Sequence, residues 1–240
     1  MERSRPDVSS SQDVIRIETL DLSLADYDWA FARERRAEIA AHFAAAQKEK
    51  PALWNGRVLL MHQREFAGTT LRGRYFETDF ANFMALRDFG FPDRSVANCF
   101  ALGMLQGSDG GYVLGVMGGH TMNGGRVYFP GGTPDPNDIV GTRVDLEGSV
   151  RREVEEETGL ASSYFDIDAG WHCVPGESLI ALLKPMRARE TADQIRARVM
   201  DHIASEKEPE LAGATIVRSL ADLNDKMPAF VQTFFRAIYS

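Results

Sequence analysis

The segment Leu146 to Leu160, LEGSVRREVEEETGL, constrains the fold more than any other stretch of this chain. At ~100° per residue, Leu146, Val150, Glu153, Glu157 and Leu160 fall on one stripe of a helix, with Glu156 beside it and Glu155 roughly opposite. Gly159 stands where a helix from about Leu146 to Thr158 would end. Carboxylates therefore interrupt the face that should be buried. Like charges at i,i+3 and i,i+4 repel by ~0.2–0.5 kcal/mol each on an exposed helix, and by more when partly buried. A divalent cation would remove that cost, because hard cations such as Mg²⁺ take one or two carboxylates together with substrate phosphate oxygens. Glu153, Glu156 and Glu157 are the candidate ligands. On charge alone, the alternative is a solvated acidic face.

Upstream of this helix, Tyr128-Phe129-Pro130-Gly131-Gly132 reads as a strand entering a paired-glycine turn, which lets backbone groups approach a ligand or metal closely. From Ala97 onward, short apolar runs punctuated by glycine predict strands at Ala97–Leu105, Gly111–Met117, Arg126–Phe129, Trp171–Val174, Leu179–Leu183 and Ala214–Val217. Residues 131–142 read as irregular. Pro228 opens a last amphipathic helix. In the N-terminal part, Ser23 is the expected cap of a helix reaching about Lys48, with Leu24, Trp29, Phe31, Ile39 and Phe43 on its apolar face. Arg57–Met61 and Thr69–Phe76 predict a hairpin, and Asp79 starts a second helix ending near Gly90. This divides the chain at Pro92 into a polar tail (1–13), an α+β extension (14–92) and a main domain (93–240).

The chain has 240 residues, of which 44% are hydrophobic and 26% charged, so it has the makings of a full core without disulfides. Cys99 and Cys173 lie in apolar stretches and read as buried thiols of a reducing compartment. With 27 Lys and Arg against 35 Asp and Glu, the net charge is −8, the wrong sign for nucleic-acid polymers or anionic lipid. No apolar run reaches the ~18 residues of a membrane span. The expectation is a cytoplasmic protein that holds any phosphate ligand locally.

Arg152 to Leu160 resemble the Nudix hydrolase signature, which reads G, five residues, E, seven residues, then R-E-U-x-E-E-x-G-U with U aliphatic. Every defined position of the second half is matched. The first half departs: Gly132 lies twenty positions before Arg152 instead of fourteen, and the position eight before Arg152 is Val144 in place of glutamate. The resemblance implies an α/β fold, a Nudix-type α/β/α sandwich around a mixed sheet, here with an N-terminal helix and β-hairpin extension. It implies Mg²⁺- or Mn²⁺-dependent hydrolysis of a nucleoside diphosphate linked to another moiety. By position, Glu153, Glu156 and Glu157 would bind metal, Arg152 would orient the carboxylates, and Glu153 or Glu156 would help deprotonate water. Glu206, Glu208 and Glu210 are candidates for a further carboxylate outside the signature. His120 and His172 read as structural.

The stretch from Pro51 to Val58, with Leu86 to Gly90, is similar to the branch of that family that cleaves UDP-glucose and UDP-galactose. Substrate contacts are accordingly expected from Arg72, Arg74, Arg87, Gly131 and Gly132, with Tyr75 or Phe76 stacking on a base; a basic hairpin face over core aromatics is the alternative. The extension would serve substrate binding or a homodimer. A nucleotide sugar such as UDP-glucose, giving UMP and sugar 1-phosphate, is the expected substrate. ADP-ribose, a dinucleotide, coenzyme A, or a non-catalytic nucleotide sensor are the alternatives.

Overall fold

The computed structural model describes residues 14–240; the tail expected at 1–13 lies outside the described residues. Among the described residues, β1 (Ile15–Ile17), β12 (Trp171–Val174), β13 (Leu179–Ala188), β5 (Asn98–Gln106), β6 (Tyr112–Met117) and β14 (Leu211–Val217) lie side by side in that order. Three short strands complete this sheet of nine: β11 (Phe165–Ile167) on β13, β7 (Val127–Tyr128) on β6, and β8 (Gly131–Gly132) on β5. Only β13 and β5 run parallel, so the sheet is mixed. A second sheet of five has the order β3 (Arg57–Ala67), β4 (Thr70–Asp79), β2 (Thr19–Leu24), β10 (Arg143–Val144) and β9 (Ile139–Val140).

Helices cover both faces of the large sheet. Gly103 of β5 leaves room for α4 (Leu146–Thr158), since a Cβ there would sit 2.4 Å from Val154 and 3.4 Å from Val150. Next to α4 runs α5 (Ala192–Ser205), started by a capping box between Thr191 and Gln194. On the opposite face, α6 (Ala229–Ile238) sets Phe230 against Phe100 at 5.2 Å and Phe234 against His172 at 5.7 Å. This is the expected α/β/α sandwich.

The N-terminal part differs from the expectation in one respect. Ser23 caps no helix; it lies in β2, paired parallel to β4, because Leu20, Leu22 and Leu24 alternate at the strand period. The helical stretch begins later and in two pieces, α1 (Ala30–Glu34) and α2 (Arg36–Glu49). The hairpin of β3 and β4 forms in the expected place, and α3 (Phe80–Asp88) follows Asp79. Trp29, Phe31, Ile39, Phe43, Phe76 and Phe83 form their own apolar cluster under these helices.

Both sheets draw strands from either side of Pro92. β1 joins the large sheet through β12, while β9 and β10 join the small one through β2. A backbone bridge ties Met61 to Ala97, and the main apolar cluster runs from Ile17 and Tyr75 through to Phe235.

Candidate active site

α4 presents its glutamates as the spacing requires. Asp145 caps its first turn by accepting from the Gly148 N–H at 3.0 Å, and Gly159 ends it in the left-handed conformation at φ 71°. Leu146, Val150 and Val154 are buried against the sheet, Glu155 faces solvent, and Glu157 is only 6% exposed.

Glu157 is the centre of the site. Its Oε1 accepts the Gly131 N–H at 2.8 Å, while its Oε2 is buried with no hydrogen-bond partner among the described residues. Burial, reinforced by the charges of Glu210, Glu153 and Glu156, raises its pKa well above the ordinary carboxylate value. Gly131 can make this contact because it has no side chain: at φ 125°, a Cβ would lie 2.5 Å from the Ala101 carbonyl oxygen. Its role in the structure is thus to hold a glutamate. Gly132 pairs with Ala101 in β8 and has open space on its Cα side.

Arg152 gathers the neighbouring carboxylates. Its Nη1 donates to Glu153 Oε1 at 2.6 Å and to Glu156 Oε2 at 3.2 Å, and its Nη2 donates to Asp138 Oδ1 at 3.0 Å. Partial burial opposes its charge, but these three acids overcome that and raise its pKa. Glu153 is raised to about 6, first by burial and then by repulsion from Glu156 and Glu210, against the pull of Arg152. Of the three candidates outside the signature, Glu210 is the one whose charge acts on Glu157 and Glu153; although its side chain is exposed, partial desolvation and Glu156 raise its own pKa against the pull of His120. Glu206 instead approaches His202 at 3.6 Å, and Glu208 is exposed.

Asp138 was not among the expected residues. Its side chain is 2% exposed, it accepts the Asp135 N–H through Oδ2 at 2.9 Å, and it grips Arg152 through Oδ1. A signal for it exists in the sequence: Gly132, five residues, then an acid reproduces the first interval of the signature with aspartate for glutamate. The six extra residues therefore lie after that acid, as the β9–β10 hairpin. Val144 does not occupy the glutamate's place; it is a buried strand residue of that hairpin. The stretch expected to be irregular thus contains β8, a 3₁₀ turn at Pro136–Asp138 and β9. Glu147, close by in sequence, is taken by Lys184 Nζ at 2.6 Å and Arg151 at 2.7 Å.

The arginines expected to contact substrate make no direct contact with the glutamates. Arg72 is exposed and 3.7 Å from Glu65, Arg87 pairs with Asp88 at 2.8 Å, and no hydrogen bond or ion pair links Arg72, Arg74 or Arg87 to the glutamates. Neither ring offered for base stacking is free. Tyr75 is fully buried with its hydroxyl donating to the Cys99 carbonyl at 2.9 Å, and Phe76 packs edge-on to Tyr27 and Trp29. His172 lies in β12 against Phe234, its pKa lowered by burial, which is a structural role. Cys99 and Cys173 are both buried thiols. A cleft of about 660 Å³ between Leu220, Gln232 and Arg236 includes none of the candidate residues.

Among the described residues, no three His, Cys, Asp or Glu side chains converge closely enough to ligate one ion as they stand. Glu153 and Glu156 are turned toward Arg152. The donor set still fits a hard cation: an oxygen of Glu157 lies buried and unpartnered, with Glu153, Glu156 and Glu210 near enough to perturb it.

A scan against protein-family models finds no match for this chain, and neither does a search of curated proteins. Solved structures do match. A MutT protein from Methanosarcina mazei Go1 is 19% identical over 58% of this chain and 91% of its own, with TM-score 0.37. RenU, a Nudix hydrolase from M. smegmatis, is 14% identical over 58% and 81%, with TM-score 0.38. Tm1382 is 13% identical over 77% and 98%, with TM-score 0.44.

Proposed function

We propose that the chain is a divalent-metal-dependent hydrolase that cleaves the diphosphate of a nucleoside diphosphate linked to another moiety. The carrying observation is the buried, unpartnered Glu157 Oε2 amid other carboxylates. Left metal-free, such a group costs stability. A bound Mg²⁺ or Mn²⁺ would neutralise the diphosphate charge and acidify water there.

The chain's own residues supply the rest. Glu157, Glu153 and Glu156 would hold the cation, with Glu157 fixed by the Gly131 N–H. Arg152 is a positioning residue that keeps Glu153 and Glu156 aligned and is itself held by Asp138. Glu153 or Glu156 would help take a proton from the attacking water. Glu210, in the bend just before β14, adds its charge to the same cluster. Glu206 and Glu208 are not needed.

We further propose a nucleotide sugar as the substrate. Support comes from the likeness of residues 51–58 and 86–90 to the branch that cleaves UDP-glucose, and it predicts UMP and glucose 1-phosphate as products. The test incubates UDP-glucose, UDP-galactose, ADP-ribose, a dinucleoside polyphosphate and coenzyme A with Mg²⁺, Mn²⁺ or EDTA, using wild type and Glu157→Gln. Metal-dependent release of UMP that vanishes in the variant is the expected result. Intact UDP-sugars beside a cleaved alternative overturn the substrate; an uncleaved panel overturns the hydrolase.

A further inference from the structure

Between β6 and β7 runs a glycine-rich loop, Gly118-Gly119-His120-Thr121-Met122-Asn123-Gly124-Gly125, that joins two parts of the molecule. At its carboxylate end, the Gly118 N–H donates to the Glu210 carbonyl at 2.8 Å, and the His120 ring packs onto the Gly118 backbone. Asn123 Nδ2 donates to the Tyr128 hydroxyl at 3.1 Å, two residues before Pro130 and the Gly131 turn. The loop is internally braced: Thr121 Oγ1 donates to the Gly118 carbonyl at 2.9 Å, and the Gly125 N–H to that of Met117 at 2.9 Å.

At its other end, the loop is held by the N-terminal extension. Lys50, just past the end of α2, donates from Nζ to the Thr121 carbonyl at 2.6 Å, and Arg87 of α3 touches the Met122 sulfur. Among the described residues, Lys50 has no carboxylate within ion-pairing distance, so two of its three N–H donors are uncommitted to any acid. In a chain of net charge −8, Lys50 holds the carbonyl next to His120, whose exposed imidazole is near enough to act on the charge of Glu210; an anionic ligand would complete this arrangement.

We propose that this loop grips the diphosphate of the substrate, with the His120 imidazole and the Lys50 ammonium donating to the phosphoryl oxygens that lie away from the glutamates. The inference rests on the reading of the carboxylates as a metal site and deepens it. It also gives the extension a part in recognition that does not run through Arg72 or Arg74. Lys50 brings its charge to the ligand while pinning the loop to α2.

The test is calorimetric titration of the Mn²⁺-loaded full chain with imidodiphosphate, a diphosphate that carries neither base nor sugar. His120→Ala and Lys50→Met should each weaken imidodiphosphate about tenfold, as expected for loss of a charge-assisted hydrogen bond, with Mn²⁺ affinity unchanged. Lys50→Arg should retain most of the affinity, which a purely structural role for the side chain would not require. Unchanged imidodiphosphate affinity in both variants, or no imidodiphosphate binding by a wild type that does bind Mn²⁺, overturns the inference. A wild type that fails to bind Mn²⁺ overturns the metal-site reading instead, and the same titration without metal then still reports on the loop.

Discussion

Burial and the charge of Glu210 oppose ionisation of Glu157, and the Gly131 N–H is the bond that favours it. Raised carboxylate pKa values mean that the folded, metal-free chain binds protons more tightly than the unfolded chain. Its stability therefore falls as pH rises above the unfolded carboxylate value, through about 6 for Glu153 and beyond for Glu157. Glu157→Gln removes that penalty: in EDTA at pH 7.5 it should melt higher than wild type, and with Mn²⁺ the order should reverse. Thermal melts at pH 5 and 7.5 decide it, and a variant that melts lower in EDTA contradicts the argument. Asp138 makes a second case. Asp138→Asn keeps an acceptor for the Asp135 N–H but removes the charge that faces Arg152, so stability should drop by about 1–3 kcal/mol in urea unfolding. Turnover should drop with it, since Glu153 and Glu156 lose their brace. The metal-ligand candidates were legible in the sequence because their helical spacing puts them on one stripe. Asp138 was not, because counting back from Arg152 lands on Val144, whereas counting forward from Gly132 lands on the acid.

α4 is clamped at both ends by side chains from other elements. At its start, Lys184 of β13, 1% exposed, donates to Glu147 at 2.6 Å and to the Ala169 carbonyl at 3.2 Å, with its ammonium 4.7 Å from the Trp171 ring centre. The two partners are unequal, because Glu147 is 40% exposed and also holds Arg151. Glu147→Ala strands a buried ammonium and should cost about 3 kcal/mol, while Lys184→Met leaves a carboxylate that water can reach and should cost less. Equal losses on chemical denaturation would refute that asymmetry. At its end, His202 of α5 hydrogen-bonds the Glu156 carbonyl at 3.0 Å, and its ring fills the space where a Cβ on Gly159 would fall, 2.7 Å away. Gly159→Ala should therefore cost more than the roughly 1 kcal/mol of left-handed backbone strain alone, read as a lowered urea midpoint. The boundaries of α4 were readable because a capping side chain and a terminal glycine mark them. α5 was not anticipated, since its buried stripe is only Ala192, Ile195 and Val199 among charged neighbours. The strand β2 was overwritten by the capping signal of Ser23, although the alternation of Leu20, Leu22 and Leu24 was there to be read.

Glu18 alone separates β1 from β2, yet the two strands serve different sheets, and the apolar clusters around Trp171 and around Trp29 are joined through β3 and Met61. Unfolding should accordingly be a single transition. With the other tryptophans changed to Phe, variants retaining only Trp29 or only Trp171 should report the same urea midpoint; two separated midpoints would mean that the clusters melt independently. No helix is long and apolar enough to cross a membrane among the described residues. The Ile139–Val144 hairpin adds two strands to the edge of the small sheet, where Arg143 pairs with Ser23 and reaches the Leu20 carbonyl at 3.2 Å. Asp138 and Arg152 meet across space at the two ends of this detour, so the length of chain between them is free to vary while their contact is not. Fixed intervals in a sequence pattern conflate those two things. For sites of this kind, the transferable description is a pair of anchored ends with an elastic middle, and the middle is where a chain can acquire new architecture without disturbing its chemistry.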